Sequence, residues 1–216
     1  MNLICKQLYT IIPKKISLEY QSIDCDKNKL GKHTGASRSV TEHSLGRQCA
    51  HTALAAIGVQ TETIHKGLNG EPIWPASTVG SISHSKGHCF TAVARKTDFL
   101  SIGVDIEHFN RMKDRSISRI THPLELESVG TDRDLATLLF SLKEAFYKAQ
   151  FPIYQRQLSF KDIALNLIPE RQSADLLWAN PNLPIPPENY SDWKFNFVRI
   201  KNRCYSLAYL PKKQPC

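Results

Sequence analysis

The sequence predicts an α+β protein built from two similar α+β halves in a pseudo-twofold arrangement, each a small, mainly antiparallel sheet packed on one long helix. Three observations predict it. Ser44–Gly58 and Asp132–Gln150 both carry helical spacing, one in each half of the chain. Short segments of strand character surround each helix in similar order. No short-period repeat or low-complexity segment suggests a solenoid or a linker. The seam falls near Phe109, dividing the chain into residues 1–109 and 110–216.

The elements follow in order. The apolar patches at Leu3-Ile4 and Tyr9–Ile12 read as an entering strand. Cys25–Ser44 is polar and basic, hence loop-like. In the first helix Leu45, Cys49, Ala53 and Ile57 recur every four residues, with Ser44 as N-cap and Gly58 as C-cap. Gly67–Gly80, rich in Gly and Pro, is a structured loop. GSISH (Gly80–His84) is a short strand. Phe90–Lys96 and Leu100–Glu107 are two further strands, expected to form a hairpin through Thr97-Asp98. Phe109–Gly130 is charged and irregular, with short helices. After the long helix come a strand near Leu158–Leu167, a Pro-rich loop from Asn180 to Pro187, and a hairpin pairing Trp193–Ile200 with Cys204–Leu210.

Composition narrows the function. The formal net charge of +8 and the isoelectric point near 9.2 favour an acidic partner. Nucleic acid is the usual first candidate. However, the chain carries no zinc finger, basic zipper or RNA-recognition pattern, so none is expected. None of the six cysteines forms a C-x-x-C pair, which speaks against a zinc ribbon or a thioredoxin-type site and for free thiols. With no apolar run of bilayer length and no signal-like N-terminus, a cytoplasmic protein without a transmembrane segment is expected.

The chemistry concentrates in two stretches. In LSIGVDIE, Asp105 and Glu107 are two apart on a strand, so both carboxylates point to one side. Paired acids repel and need a cation or donors unless they simply face water. In LFSLKEAFYKA, Leu139, Phe146 and Ala149 form a buried face, while Glu144 and Lys148 share another. Taken alone, those two are an ordinary surface ion pair. With Asp105 and Glu107 added, Glu144 completes a set of three carboxylates whose hard oxygens suit Mg²⁺. Lys148 and Lys143 are placed for phosphate; Ser83 and His84 at the end of GSISH offer a hydroxyl and an imidazole for one, although such a pair taken alone reads first as a satisfied structural contact. Arg38 and Arg47 flank and enter the first helix.

The succession RSVTEHSLGRQCAHTAL, GEPIWP…GSISHS, IGVDIE and FSLKEAFYKA resembles the surfactin-type family of 4'-phosphopantetheinyl transferases, in its enterobactin-synthase component D branch. That resemblance implies Asp105, Glu107 and Glu144 as the magnesium-binding acids, and Lys148 as the contact to the coenzyme A pyrophosphate. It places Ser83 and His84 near the 3'-phosphate, Arg38 and Arg47 near the nucleotide, and the Pro72–Pro75 segment along the adenine. Asp105, Glu144 and Lys148 would be catalytic, Mg²⁺ the cofactor, coenzyme A the co-substrate and an acidic acyl or peptidyl carrier protein the partner. A monomer is expected from two fused halves. Glu71, where relatives often carry a base, and Ala76-Ser77, in place of a glycine-containing turn, depart from the pattern. Two other readings compete: a coenzyme A- or nucleotide-binding module without transfer, and a Mg²⁺-dependent phosphodiesterase or nuclease.

Overall fold

A computed structural model of the chain describes residues 3–22, 35–61, 63–109 and 111–213; the side chains of residues 3 and 35–41 lie outside that description. The chain begins with α1 (Leu3–Leu8), β1 (Ser17–Ser22) and α2 (Gly35–Ala56). The two-residue strands β2 (His65–Lys66) and β3 (Pro72–Ile73) follow, then β4 (Thr78–Ser85), β5 (His88–Arg95) and β6 (Phe99–His108). The second half holds α3 (Asp114–Ile120), α4 (Leu126–Val129), α5 (Arg133–Tyr154), β7 (Ile163–Ile168), β8 (Ser173–Ala179), β9 (Lys194–Ile200) and β10 (Arg203–Pro211).

Two antiparallel sheets carry the fold. One is ordered β1-β5-β4, the other β6-β10-β9-β8-β7. Their inner faces meet through Leu18, Tyr20, Phe90 and Ala92 on one side and Ile102, Val104, Ile106 and Leu207 on the other. The 22-residue α2 covers the outer face of the first sheet through Ala50, Ala53 and Leu54. The 22-residue α5 covers the second through Leu139, Leu142, Phe146 and Ala149. The layers therefore run helix, sheet, sheet, helix, and each half is a sheet on one long helix. Among the described residues no helix is long and apolar enough to cross a membrane.

Several expectations are corrected. The N-terminus enters as a helix, α1, because Cys5 and Leu8 together bury one face. The first helix starts at Gly35, running through Ser44 without a cap there. It ends as expected at Gly58, whose φ of +70° suits a C-terminal glycine. The strand expected near Leu158 begins at Ile163, after a 3₁₀ turn over Phe160–Asp162, and β8 was not anticipated.

The largest correction concerns β6. It makes no hairpin with β5, because β5 already has β1 and β4 on its two edges. Instead β6 pairs along its length with β10, Asp105 opposite Ser206 and Glu107 opposite Cys204. The GVDIE strand, grouped by sequence with residues 1–109, is thus hydrogen-bonded into the sheet of the second half. The expected C-terminal hairpin does form, with Arg203 opposite Ile200.

Beside β6 on its other edge runs β4, in the same direction but with no backbone ladder. Two serine hydroxyls stand in for it: Val104 N donates to Ser81 Oγ at 3.0 Å and Ile106 N to Ser83 Oγ at 3.3 Å. Across β6 lies α5, and the approach is close at Gly103. A Cβ there would sit 1.9 Å from Ala145 O and 2.6 Å from Ala149 N, both backbone atoms. Small residues on the helix and no side chain on the strand let the two backbones touch, and Ser101 Oγ donates to Ala149 O. Gly103→Ala is therefore expected to destabilise the fold by about 3 kcal/mol, read by urea denaturation, because no flexible side chain can yield.

A second constraint fixes the far side of α5. Lys143 Nζ donates to Glu125 Oε2 at 2.8 Å, to Ile120 O at 2.9 Å and to Phe160 O at 2.7 Å. Glu125 accepts in turn from His122 N and Leu165 N, and both side chains are almost fully buried. Lys143→Met strands the Glu125 charge and should cost about 3–5 kcal/mol in the same assay. The double variant Lys143→Met/Glu125→Leu should recover a large part of that loss.

Candidate active site

Asp105 and Glu107 lie on the β6 face that meets α5, as their two-residue spacing requires. Asp105 is 5% exposed, and three donors satisfy it. Ser141 Oγ of α5 donates to Oδ2 at 2.9 Å; Ser83 Oγ and Lys148 Nζ donate to Oδ1 at 2.9 and 2.7 Å. Lys148 also donates to Ser83 Oγ at 3.0 Å and to Val104 O at 3.1 Å. Its ammonium enters the wedge between β4 and β6, which is open because serines rather than a backbone ladder bridge those strands.

Glu144 and Lys148 are thus not each other's partners. Lys148 reaches across to Asp105, while Glu144 makes no hydrogen bond or ion pair among the described residues. Burial, and then the charge of Asp105, push the Glu144 carboxyl above its usual range, against the opposing pull of Lys148. Glu107 is raised for the same first reason, burial, with Asp105 adding to it. Arg111 relieves Glu107, its Nη1 2.7 Å from Oε1.

Asp105 is therefore within electrostatic reach of both other expected metal ligands, Glu107 and Glu144, without a ready-made cage. Among the described residues no group of three His, Cys, Asp or Glu side chains is drawn together tightly enough to hold a metal ion. The donor set nonetheless fits a hard divalent cation. All three are carboxylates, Glu107 and Glu144 are raised by burial and by the charge of Asp105, and Glu144 has no hydrogen-bond or ion-pair partner among the described residues.

The remaining expected residues divide. Ser83 is fully engaged, donating to Asp105 and accepting from Lys148 and Ile106 N, so its hydroxyl organises the carboxylate centre. His84 faces α2, its Nδ1 3.3 Å from Glu42 Oε2. Arg47 has a buried Nη1 with no partner among the described residues. His43 is lowered by burial and then by the charges of Arg47, Lys66 and His84, so those basic groups lie near it. An orphaned, buried guanidinium nitrogen in such a cluster is suited to an anionic ligand. Arg38 lies on α2, its side chain outside the described residues. Lys143, adjacent in sequence to Glu144, points away from the site into the ion pair with Glu125.

A cavity of about 520 Å³ opens between the halves, lined by Glu71, Pro72, Trp74 and Ser81 from the first and Tyr147 and Lys148 from α5. Glu71 caps its own turn there: Asn69 N donates to its Oε2 at 3.0 Å, which accounts for an acid at that position. Sequence reasoning missed Arg111, Ser141, His43 and Lys66. Only Ser141, inside FSLKEAF and seven residues before Lys148, carried a readable signal, since i and i+7 share a helix face.

The site is thus a cleft between two sheet-on-helix halves, with buried acids on one strand and a lysine crossing from the facing helix. The chain belongs to the 4'-phosphopantetheinyl transferase superfamily. Residues 27–94 match the 4'-phosphopantetheinyl transferase N-terminal domain, and residues 101–195 the 4'-phosphopantetheinyl transferase superfamily domain. It is 39% identical over 132 residues to the 4'-phosphopantetheinyl transferase Npt of Nocardia iowensis, covering 60% of each chain. To PptT of Mycobacterium tuberculosis it is 37% identical, covering 54% of this chain and 53% of that one. To enterobactin synthase component D of Escherichia coli O157:H7 it is 36% identical, covering 55% and 57%. The alignments thus span between about half and three-fifths of those relatives' length.

The raised carboxyls carry a pH signature. An acid whose folded pKa is raised favours the fold while protonated; that contribution is present below the ordinary glutamate range and is lost as pH rises through the raised value. Glu144 therefore works against the fold at neutral pH when no cation is bound. In chelator, Glu144→Gln should raise the melting temperature by a few degrees near pH 7, and the gain should fade on acidification to about pH 4.

Proposed function

We propose that the chain transfers the 4'-phosphopantetheine arm of coenzyme A to a serine hydroxyl of an acyl or peptidyl carrier protein. The observation that carries this reading is Lys148, which lines the interdomain cavity and pairs with Asp105, the carboxylate whose charge raises Glu144. Coenzyme A would enter with its nucleotide toward Arg47 and His84, its adenine along Pro72–Pro75 and its diphosphate at Lys148. Asp105, Glu107 and Glu144 would hold Mg²⁺, which neutralises diphosphate charge when bound.

The residues then divide the work. Glu144 takes the proton of the carrier serine, through one water or directly, the direct route being the weaker one for a carboxylate that holds a cation. The serine oxygen bonds to the β-phosphorus, and the bond from that phosphorus to the bridging oxygen breaks. Adenosine 3',5'-bisphosphate departs with the electron pair, and Lys148 stabilises the charge that builds on it. Ser83 and Ser141 hold Asp105 in one orientation, so that little reorganisation is needed at the moment of transfer.

The carrier would approach over α3. Lys113, Arg115 and Arg119 are exposed there, next to exposed Leu124 and Leu126. That basic and apolar surface suits an acidic amphipathic helix, and its attraction would weaken with salt. The protein would act as a monomer, since both walls of the cleft come from one chain. Free, buried Cys5, Cys49, Cys89 and Cys204 accord with the cytoplasm. The branch resemblance favours carriers of siderophore or other nonribosomal peptide synthesis, or of polyketide synthesis.

The test is to incubate the protein with apo carrier protein, coenzyme A and Mg²⁺ and to weigh the carrier. A gain of one phosphopantetheine arm is expected, lost in Asp105→Ala and in Glu144→Ala, and slowed on the order of 10²–10³-fold in Lys148→Ala. Retained coenzyme A binding without any gain would make the protein a binding module instead.

A further inference from the structure

Arg111 belongs to no motif, yet it sits among the acids. It follows β6 by three residues and bends back so that Nη1 lies 2.7 Å from Glu107 Oε1. Its guanidinium carbon lies 4.6 Å from the centre of the Phe140 ring, which α5 presents one turn before Glu144. The cation is therefore held between an acid of β6 and an aromatic face of α5, and its charge also reaches Glu144.

Lys148 and Arg111 thus approach the strand's two acids separately, one on Asp105 and one on Glu107. The two cations are not equivalent. Lys148 is 28% exposed and keeps two further bonds, to Ser83 Oγ and Val104 O, whatever becomes of Asp105. Arg111 is 49% exposed and has Glu107 as its one ion-pair partner among the described residues, while the Glu107 side chain is only 9% exposed. A buried carboxylate with a carboxylate neighbour cannot go without a counter-charge at little cost. A half-exposed guanidinium supplies that charge and can also leave, because water and the Phe140 face remain available to it.

We propose that Arg111 is a displaceable internal counter-ion: it neutralises Glu107 while no divalent cation is bound and is released from Glu107 when a cation binds. This rests on the reading that Asp105, Glu107 and Glu144 hold the cation. Arg111 and the cation then compete for one carboxylate, so Arg111 lowers cation affinity while protecting the ligand-free fold. An Arg111 that merely ties α3 to the strand end predicts something different, a stability loss that is indifferent to cations.

The experiment uses the full chain, wild type and Arg111→Gln, with Mn²⁺ as the probe. Free Mn²⁺ is counted by its paramagnetic resonance signal, and melting is followed in chelator and in saturating Mg²⁺. Arg111→Gln should bind Mn²⁺ about tenfold more tightly, as expected for removing a unit charge a few ångströms from the site. It should also melt below wild type in chelator, and the gap should close in Mg²⁺. Adding Glu107→Gln should abolish the affinity gain, since nothing is then left to compete for. Equal Mn²⁺ affinity in wild type and Arg111→Gln, or a melting deficit that persists in Mg²⁺, overturns the proposal and leaves the cation site standing. Absence of Mn²⁺ binding in both folded proteins overturns the cation reading itself, and this inference with it.

Discussion

The contact of α5 with β6 at Gly103 is the constraint on which the rest of the centre depends. Two backbones lie against each other there, with no side chain on the strand and Ala145 and Ala149 on the helix. Such an approach fixes both the distance and the rotation of the helix. Ser141 and Lys148, two turns apart on the inward stripe, then flank the same carboxylate, that of Asp105. Glu144 lies between them on the same face, three residues after Ser141 and four before Lys148, yet both of those side chains are drawn to Asp105 and Glu144 makes no hydrogen bond or ion pair among the described residues. One rotational setting of α5 thus produces a saturated acid and a partnerless one side by side. A bulkier residue at position 103 would move every one of these groups at once.

The second device is the wedge between β4 and β6. A backbone ladder there would fuse the two sheets into one and leave no entrance for Lys148. Hydroxyls of Ser81 and Ser83 satisfy the buried amides of Val104 and Ile106 while holding the strands apart. GSISH is thus first a junction between halves through Ser81 and Ser83, while Ile82 packs against α2 and His84 pairs with Glu42 there. The hydroxyl of Ser83 does two things there, satisfying a β6 amide and orienting Asp105, which couples the joining of the halves to the geometry of the acid.

The extent to which this was readable follows from how local each cause is. The carboxylate pair on β6 and the two faces of α5 were legible because strand and helix periodicities are properties of short windows. Pairing partners were not. A strand buried on both faces, as Ile102, Val104 and Ile106 opposite Asp105 and Glu107 make β6, carries no mark of which edge it offers, and proximity in sequence suggested β5 wrongly. The start of α2 was hidden by a polar, basic stretch with no apolar period, and α1 by its six-residue length. Lys143 and Lys148 illustrate the limit at residue level. Both are lysines of one motif, yet one is buried on Glu125 and the other reaches the acids, a difference of helix azimuth that only the packing of α5 decides.

Charge distribution ties the two halves into one site. The acids stand on β6 and α5 of the second half, and their neutralisers are Lys148 and Arg111. The first half contributes a group of Arg47, Lys66, His43 and His84 in which Glu42 is the acid that pairs with His84. Each half alone carries an imbalance: acids crowded in one, cations crowded in the other. A ligand that is anionic along its length, with phosphates at two separate positions and a cation accompanying one of them, would offset both at once. Neither a simple anion nor a bare metal ion would do so, because each relieves only one side. The excess of positive charge in this chain is divided in the same way: part of it lies around Arg47 in the first half, and part, on α3, faces outward beside exposed Leu124 and Leu126.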